Sequence, residues 1–185
     1  HPAALRRGAR VGDLIGVTHH LGASAAGLVV LENPQLEVPD WAKEEVVNKH
    51  LRPRARLEAG EELADGLATA MMDLSDGLAG DLRHLCRASG VGALIYADQL
   101  PISEATRLVA AAAGLDPLEL ALTGGEDYEL LFTAPPTGWE TQKRLPRSGT
   151  PVTVVGEIVE AEKGIQLVQA SGQRVPLTKT GFTHF

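Results

Sequence analysis

Apolar residues along the chain fall into short blocks with two different spacings, and the alternation between them predicts a mixed α/β fold. Compact apolar runs at residues 13–18, 68–72, 91–97, 128–133 and 152–158 are bounded by glycine, proline or acidic residues, as buried strands are. Between them the apolar positions spread to helical spacing. One helix is expected after Gly22, with Ser24 as its cap and Leu28, Val29 and Leu31 as its apolar surface. Others are expected over 41–49, where Trp41 serves as a packing anchor, over 53–66, where Gly60 weakens it, and over 104–113. A further helix over 77–88 places Leu78, Leu82 and Leu85 on one face behind a Ser75/Asp76 capping position. Residues 165–168 and 173–176 read as a late hairpin around Ser171-Gly172. Two Pro/Gly-rich stretches, 33–40 and 134–151, read as surface connections, the second with room for a short helix.

Composition narrows the class. A chain of 185 residues with 44% hydrophobic content can bury one sizeable core, and no apolar run approaches the roughly 18 residues that a membrane-spanning helix needs. The formal charge of −7 argues against a nucleic-acid partner, which calls for a basic face. A single cysteine, Cys86, excludes an internal disulfide framework and suits a reducing cytoplasm. Its place beside Leu85 predicts burial as a small hydrophobe.

Two acidic runs carry the candidate chemistry. In Met72-Asp73-Leu74-Ser75-Asp76-Gly77-Leu78, two carboxylates stand three residues apart where a strand gives way to a helix. Such a pair either caps the helix or holds a hard cation, and Mg²⁺ is commonly bound by one or two carboxylates together with nucleotide phosphates. In Leu122-Thr123-Gly124-Gly125-Glu126-Asp127-Tyr128-Glu129-Leu130, a glycine turn presents three acids ahead of an apolar strand, either at a cleft edge or as an ordinary solvated hairpin tip. The turn Gly22-Ala23-Ser24 between strand and helix is a candidate phosphate cradle. Adjacent His19 and His20 lack a third spaced ligand and read as a solvent-exposed pair rather than a metal site. Arg6, Arg7 and Arg10, and Arg52 with Arg54, are local basic groups suited to phosphate contacts.

Taken in order, Arg6-Arg7-Gly8-Ala9-Arg10-Val11-Gly12-Asp13, Leu21-Gly22-Ala23-Ser24, His50-Leu51-Arg52-Pro53, the two acidic runs and Gly181-Phe182-Thr183-His184-Phe185 resemble thiamine-monophosphate kinase, of the superfamily that includes aminoimidazole ribonucleotide synthetase and selenophosphate synthetase. The resemblance runs almost end to end. It implies an α+β domain with a mixed, partly ferredoxin-like sheet flanked by helices. Residues 1–12 would be a remnant of an interdomain connection and 13–185 a carboxy-terminal domain, with an amino-terminal ATP- and metal-binding domain lying outside this chain. The implied reaction moves the γ-phosphoryl group of ATP to thiamine monophosphate, in the cytoplasm, with Mg²⁺ as cofactor; the complete protein would be a homodimer through that other domain, and a domain alone would be inactive. Residue by residue, Asp73 and Asp76 match metal ligands, Arg6 and Ser75 nucleotide contacts, and Glu126 and Phe182 substrate contacts. Arg7 stays an alternative to Arg6, and Tyr128 to Phe182. No residue is assigned as acid or base. His19 departs from a usual glycine, and Lys179 from the family pattern near Phe182. The competing readings are a stand-alone binding or interaction module without turnover, and another ATP-using member of the superfamily.

Overall fold

The computed structural model describes residues 4–137, 139, 145 and 147–177. Among these, seven strands form one sheet in the order β2-β4-β1-β5-β3-β6-β7, with β1 at Leu14–Thr18, β2 at Ala70–Asp73, β3 at Gly92–Tyr96, β4 at Leu130–Ala134, β5 at Val152–Val159, β6 at Ile165–Val168 and β7 at Arg174–Pro176. Strands β3 and β6 pair in parallel and every other pairing is antiparallel, so the sheet is mixed as expected. The late hairpin, β6 with β7, forms where the pattern placed it.

One face of the sheet is covered by α4 (Leu78–Ser89) and α6 (Pro117–Thr123). Leu78, Leu82 and Leu85, spaced three or four residues apart, are fully buried against Ile15, Val17, Ala93 and Ile95. Burial of each leucine contributes about 2 kcal/mol. Helices α1 (Ala23–Glu32), α2 (Asp40–Leu51) and α5 (Glu104–Ala113) pack on one another through Ala26, Val30, Ala42, Val46, Ala105 and Val109. The α1–α2 approach depends on Gly27, where an added Cβ would collide with the Val46 carbonyl oxygen. The opposite sheet face is covered at its β2/β4 end by α3 (Leu57–Glu62) and Trp139, whose ring lies 5.0 Å from that of Phe132.

Several expectations need correction. The helix expected over 53–66 is a regular helix only at Leu57–Glu62; a distorted turn follows, in which Asp65 and Gly66 leave helical geometry. Strand β4 starts at Leu130 rather than 128, because Tyr128 has a left-handed backbone (φ +49°) that no strand tolerates. Helix α6 went unforeseen, although Asp116-Pro117 is a regular start: the Asp116 carboxylate accepts the Leu118 N–H at 2.9 Å and Pro117 occupies the first turn. Trp41 lies on the outer side of α2, 49% exposed, and is not a packing anchor. A short helix within 134–151 falls largely outside the described residues, as do Phe182 and Lys179.

Candidate functional site

The two acidic runs lie side by side. Antiparallel pairing sets Asp73 opposite Leu130, and the ladder continues past the strand ends: Leu74 N–H donates to the Glu129 carbonyl (2.8 Å), Tyr128 N–H to the Leu74 carbonyl (2.9 Å) and Glu126 N–H to the Ser75 carbonyl (2.8 Å). Gly77 (φ +96°) permits the closest approach, since a Cβ there would sit 2.9 Å from the Gly124 carbonyl oxygen. Residues separated by half a hundred positions therefore form one edge.

The first run is organised by a residue that pattern reading missed. Gly77, with no side-chain cap, is the N-cap of α4; the Ser75 and Asp76 amides instead donate to the carboxylate of Asp81, at 2.9 and 3.0 Å. The expected Ser75/Asp76 cap is thus replaced by Asp81, one turn into the helix, and both side chains are released from capping. Burial raises the Asp81 carboxyl above its ordinary range; those two amides oppose the rise, and the charges of Asp76 and Asp73 reinforce it. Asp73 is exposed and Asp76 half-buried beside this occupied carboxylate. Among the described residues, no group of three His, Cys, Asp or Glu side chains forms a self-sufficient metal cluster.

In the second run the three acids part company. Glu126 (φ +65°) lines a cavity of about 360 Å³, and its side chain is 45% exposed. Asp127 reaches the start of α1, where its carboxylate accepts Gly22 N–H at 2.7 Å and Ser24 N–H at 3.1 Å. This corrects two expectations. Gly22, not Ser24, is the N-cap, and the candidate phosphate cradle is filled by the chain's own carboxylate. Glu129 is buried, accepting from Arg56 Nε (2.8 Å), Arg56 Nη2 (2.6 Å), Lys49 Nζ (3.2 Å) and the Thr18 hydroxyl (2.7 Å). Burial alone would push its carboxyl up; the Arg56 and Thr18 hydrogen bonds and the Lys49 and Arg56 charges outweigh it and hold it low. Near this network, His19 is half-buried, not solvent-exposed like His20, and has a left-handed backbone (φ +46°) that favours glycine. Burial lowers its pKa, with Glu129 pulling the other way.

The cavity has apolar walls from Ala25, Leu28, Val29, Leu115 and Leu120. Its polar groups include Ser24, His50, Ser75, Thr123 and Glu126, with Glu32, Asp116 and Glu119 also in the lining. No lysine or arginine is among the described lining residues. Such a space, with apolar walls and acidic groups, favours a partly apolar, positively charged molecule. Ser24 Oγ lies 3.0 Å and Glu126 Oε2 3.7 Å from His50 Nδ1. Because one and the same ring nitrogen faces both, this is not a nucleophilic Ser-His-acid relay, which needs the two nitrogens in separate roles.

Of the residues singled out from sequence, Ser75 and Glu126 meet at this cavity, with Asp73 at the end of β2 just before Ser75 and Asp76 just after it. Arg6 lies elsewhere. Its segment runs along the outer edge of β2, where the Leu5 carbonyl accepts Met71 N–H (2.9 Å), and its exposed side chain is not among the described lining residues. Tyr128 is 38% exposed and does not line the cavity. His50, Asp81, Asp127, Glu129, Lys49 and Arg56 were not assigned to the site from sequence. Asp127 and Glu129 stand out only as members of the acidic run and His50 only within the run His50-Leu51-Arg52-Pro53, because burial and pairing are properties of the folded chain.

Residues 10–168 match the family model described as "AIR synthase related protein, C-terminal domain". Thiamine-monophosphate kinases of Salmonella typhimurium and Escherichia coli K12 are 39% and 41% identical to the chain, each over 99% of it and 55% of the relative. The chain therefore spans about half the length of the curated relatives it matches. Among solved structures, thiamine monophosphate kinase from Aquifex aeolicus superposes with a TM-score of 0.79 at 36% identity, over 94% of this chain and 54% of that one. A further structure, AaThiL complexed with AMPPCP and TMP, gives 0.82 at 36% identity, over 98% and 54%. The E. coli hydrogenase maturation protein HypE shares the fold, with a TM-score of 0.74 at 21% identity. From the match over residues 10–168, the chain belongs to the family described as AIR synthase related protein, C-terminal domain.

Proposed function

We propose that this chain is the carboxy-terminal part of a thiamine-monophosphate kinase, contributing one side of the site that transfers a phosphoryl group from ATP to thiamine monophosphate. The observation that carries the reading is the convergence of Glu126 and Ser75 on a cavity with apolar walls and no described lysine or arginine, beside the carboxylates of Asp73 and Asp76. Relatives at about 40% identity carry that name, and one solved neighbour holds AMPPCP and TMP.

The Glu126 carboxylate would face the permanently cationic thiazolium, while Leu28, Val29 and Leu120 cover the ring system and exclude water. Ser75 would meet the nucleotide through its hydroxyl, its amide being held by Asp81. Arg6 and Phe182 are assigned nucleotide and substrate contacts on the resemblance alone. The donor set at the strand end is hard oxygen only, which fits Mg²⁺; Asp73 and Asp76 would hold it, leaving further positions to phosphate and water. Bound there, the metal would neutralise charge between two phosphates that must approach in line. The acceptor oxygen is already anionic, so none of these residues needs to act as general base, and positioning carries the rate. The single buried Cys86 suits a reducing compartment, and we assign the protein to the cytoplasm.

Calorimetric titration of the chain with thiamine monophosphate, with and without Mg²⁺ and AMPPCP, tests this. Saturable binding that Glu126→Ala abolishes supports the half-site; binding unchanged in that variant refutes the assignment of Glu126. The second reading, a binding module without turnover, draws on a cavity whose described lining has no lysine or arginine to meet a phosphate. Phosphoryl transfer by a mixture of the chain with the remaining portion of a relative would reject it.

A further inference from the structure

The mechanism uses Glu126 but not its neighbour. Asp127 stands between two residues with left-handed backbones, Glu126 at φ +65° and Tyr128 at φ +49°, a region that side-chain-bearing residues enter only when their surroundings hold them there. On one side the hold is visible in the Glu126 and Tyr128 amides, bonded to the Ser75 and Leu74 carbonyls. On the other it is the Asp127 carboxylate, bonded to the Gly22 and Ser24 amides at the start of α1. Loop and helix are thereby tied together, with Glu126 lining the cavity and Asp127 turned away from it.

We propose that Asp127 is a positioning residue for substrate recognition: by capping α1 it fixes the left-handed backbone on either side of it and so holds the Glu126 carboxylate at the cavity. The inference rests on the reading that Glu126 meets the substrate. Burial pushes the Asp127 carboxyl up to about 6, against the pull of the Gly22 and Ser24 amides, and at pH 7 its charged form, which accepts both bonds, still prevails. A cap that served stability alone would leave Glu126 untouched when removed, and Ser103, which accepts the Thr106 N–H at 3.2 Å on α5, provides that comparison.

The test is amide hydrogen exchange followed residue by residue, combined with titration by thiamine monophosphate. In Asp127→Asn, exchange at Glu126 and Tyr128 should quicken at least about tenfold while the β5 amides keep their protection; Ser103→Ala should leave Glu126 and Tyr128 unchanged. Asp127→Glu, which keeps the charge but shifts the carboxylate, should loosen the same two amides and serves if the asparagine variant fails to fold. Asp127→Asn should weaken binding about tenfold, and adding it to Glu126→Gln should weaken binding no further. Unaltered exchange at Glu126 and Tyr128, or full additivity of the two substitutions, overturns the role of Asp127 while leaving Glu126 in place. A chain that binds no thiamine monophosphate, or a Glu126→Gln variant that binds like wild type, removes the underlying reading of Glu126 and the recognition role with it; the exchange data still report whether Asp127 holds the loop.

Discussion

Replacing Glu129 by glutamine should be among the most destabilising single-atom changes in this chain. The carboxylate is 1% exposed and accepts three hydrogen bonds from cations and one from a hydroxyl. Glutamine keeps one acceptor oxygen but turns an NH₂ group toward the Arg56 guanidinium, itself only 16% exposed, and leaves that charge without a counter-ion. Breaking a buried pair from one side costs about 3–5 kcal/mol. Lys49 is one-third exposed and finds water, so the lower end applies, about 3 kcal/mol. Urea unfolding at pH 7, followed by circular dichroism, should show the midpoint falling by about 1.5 M if the slope is about 2 kcal/mol per M. The pH dependence has a definite sign. A folded-state pKa held below the ordinary value gives stability that is present above the unfolded-state pKa and disappears as pH falls through the folded one, so the gap between wild type and variant should close on acidification. A loss under 0.5 kcal/mol at pH 7, or a gap independent of pH, would refute the claim that Glu129 is a charged node.

Two further outcomes follow from packing. Gly27→Ala should cost about 1–3 kcal/mol in thermal unfolding, because its methyl group meets the Val46 carbonyl oxygen and the His50 Cβ and must separate α1 from α2; a neutral effect would mean that the helix pair yields freely. Burial pushes the Cys86 thiol up to about 12, so at pH 8 it should resist a thiol reagent in the native chain and react once urea unfolds it; rapid native labelling would show that α4 opens locally.

The parts of the fold legible in sequence were those with strong periodicity. Leu78, Leu82 and Leu85 announce α4, and the short apolar blocks announce the strands. Helix starts are less legible. Ser24, Ser75 and Asp76 have the residue types that cap locally, but Asp127 and Asp81 take those amides, one from across the fold and one from a turn ahead. Local rules cannot see a cap delivered from residue 127 to residue 22. The same blindness explains Glu129, which is indistinguishable from its neighbours as text and is set apart only by Arg56, Lys49 and Thr18 closing around it. His19 is the converse case: an oddity at a glycine position in the resemblance corresponds to a left-handed backbone in the fold.

The pairing of β2 with β4 has a consequence during synthesis. Asp73 leaves the ribosome about 57 residues ahead of Leu130, its partner in the sheet. At ordinary elongation rates that is a wait of roughly 3–11 s. Throughout it, β2 has no neighbour on its β4 side and the Leu74 and Ser75 carbonyls lack the amides that later bind them. The nascent chain must keep an unsatisfied strand edge from pairing with other chains, and the bond from Met71 N–H to the Leu5 carbonyl, made entirely by residues already synthesised, is available to cover the other edge from the start.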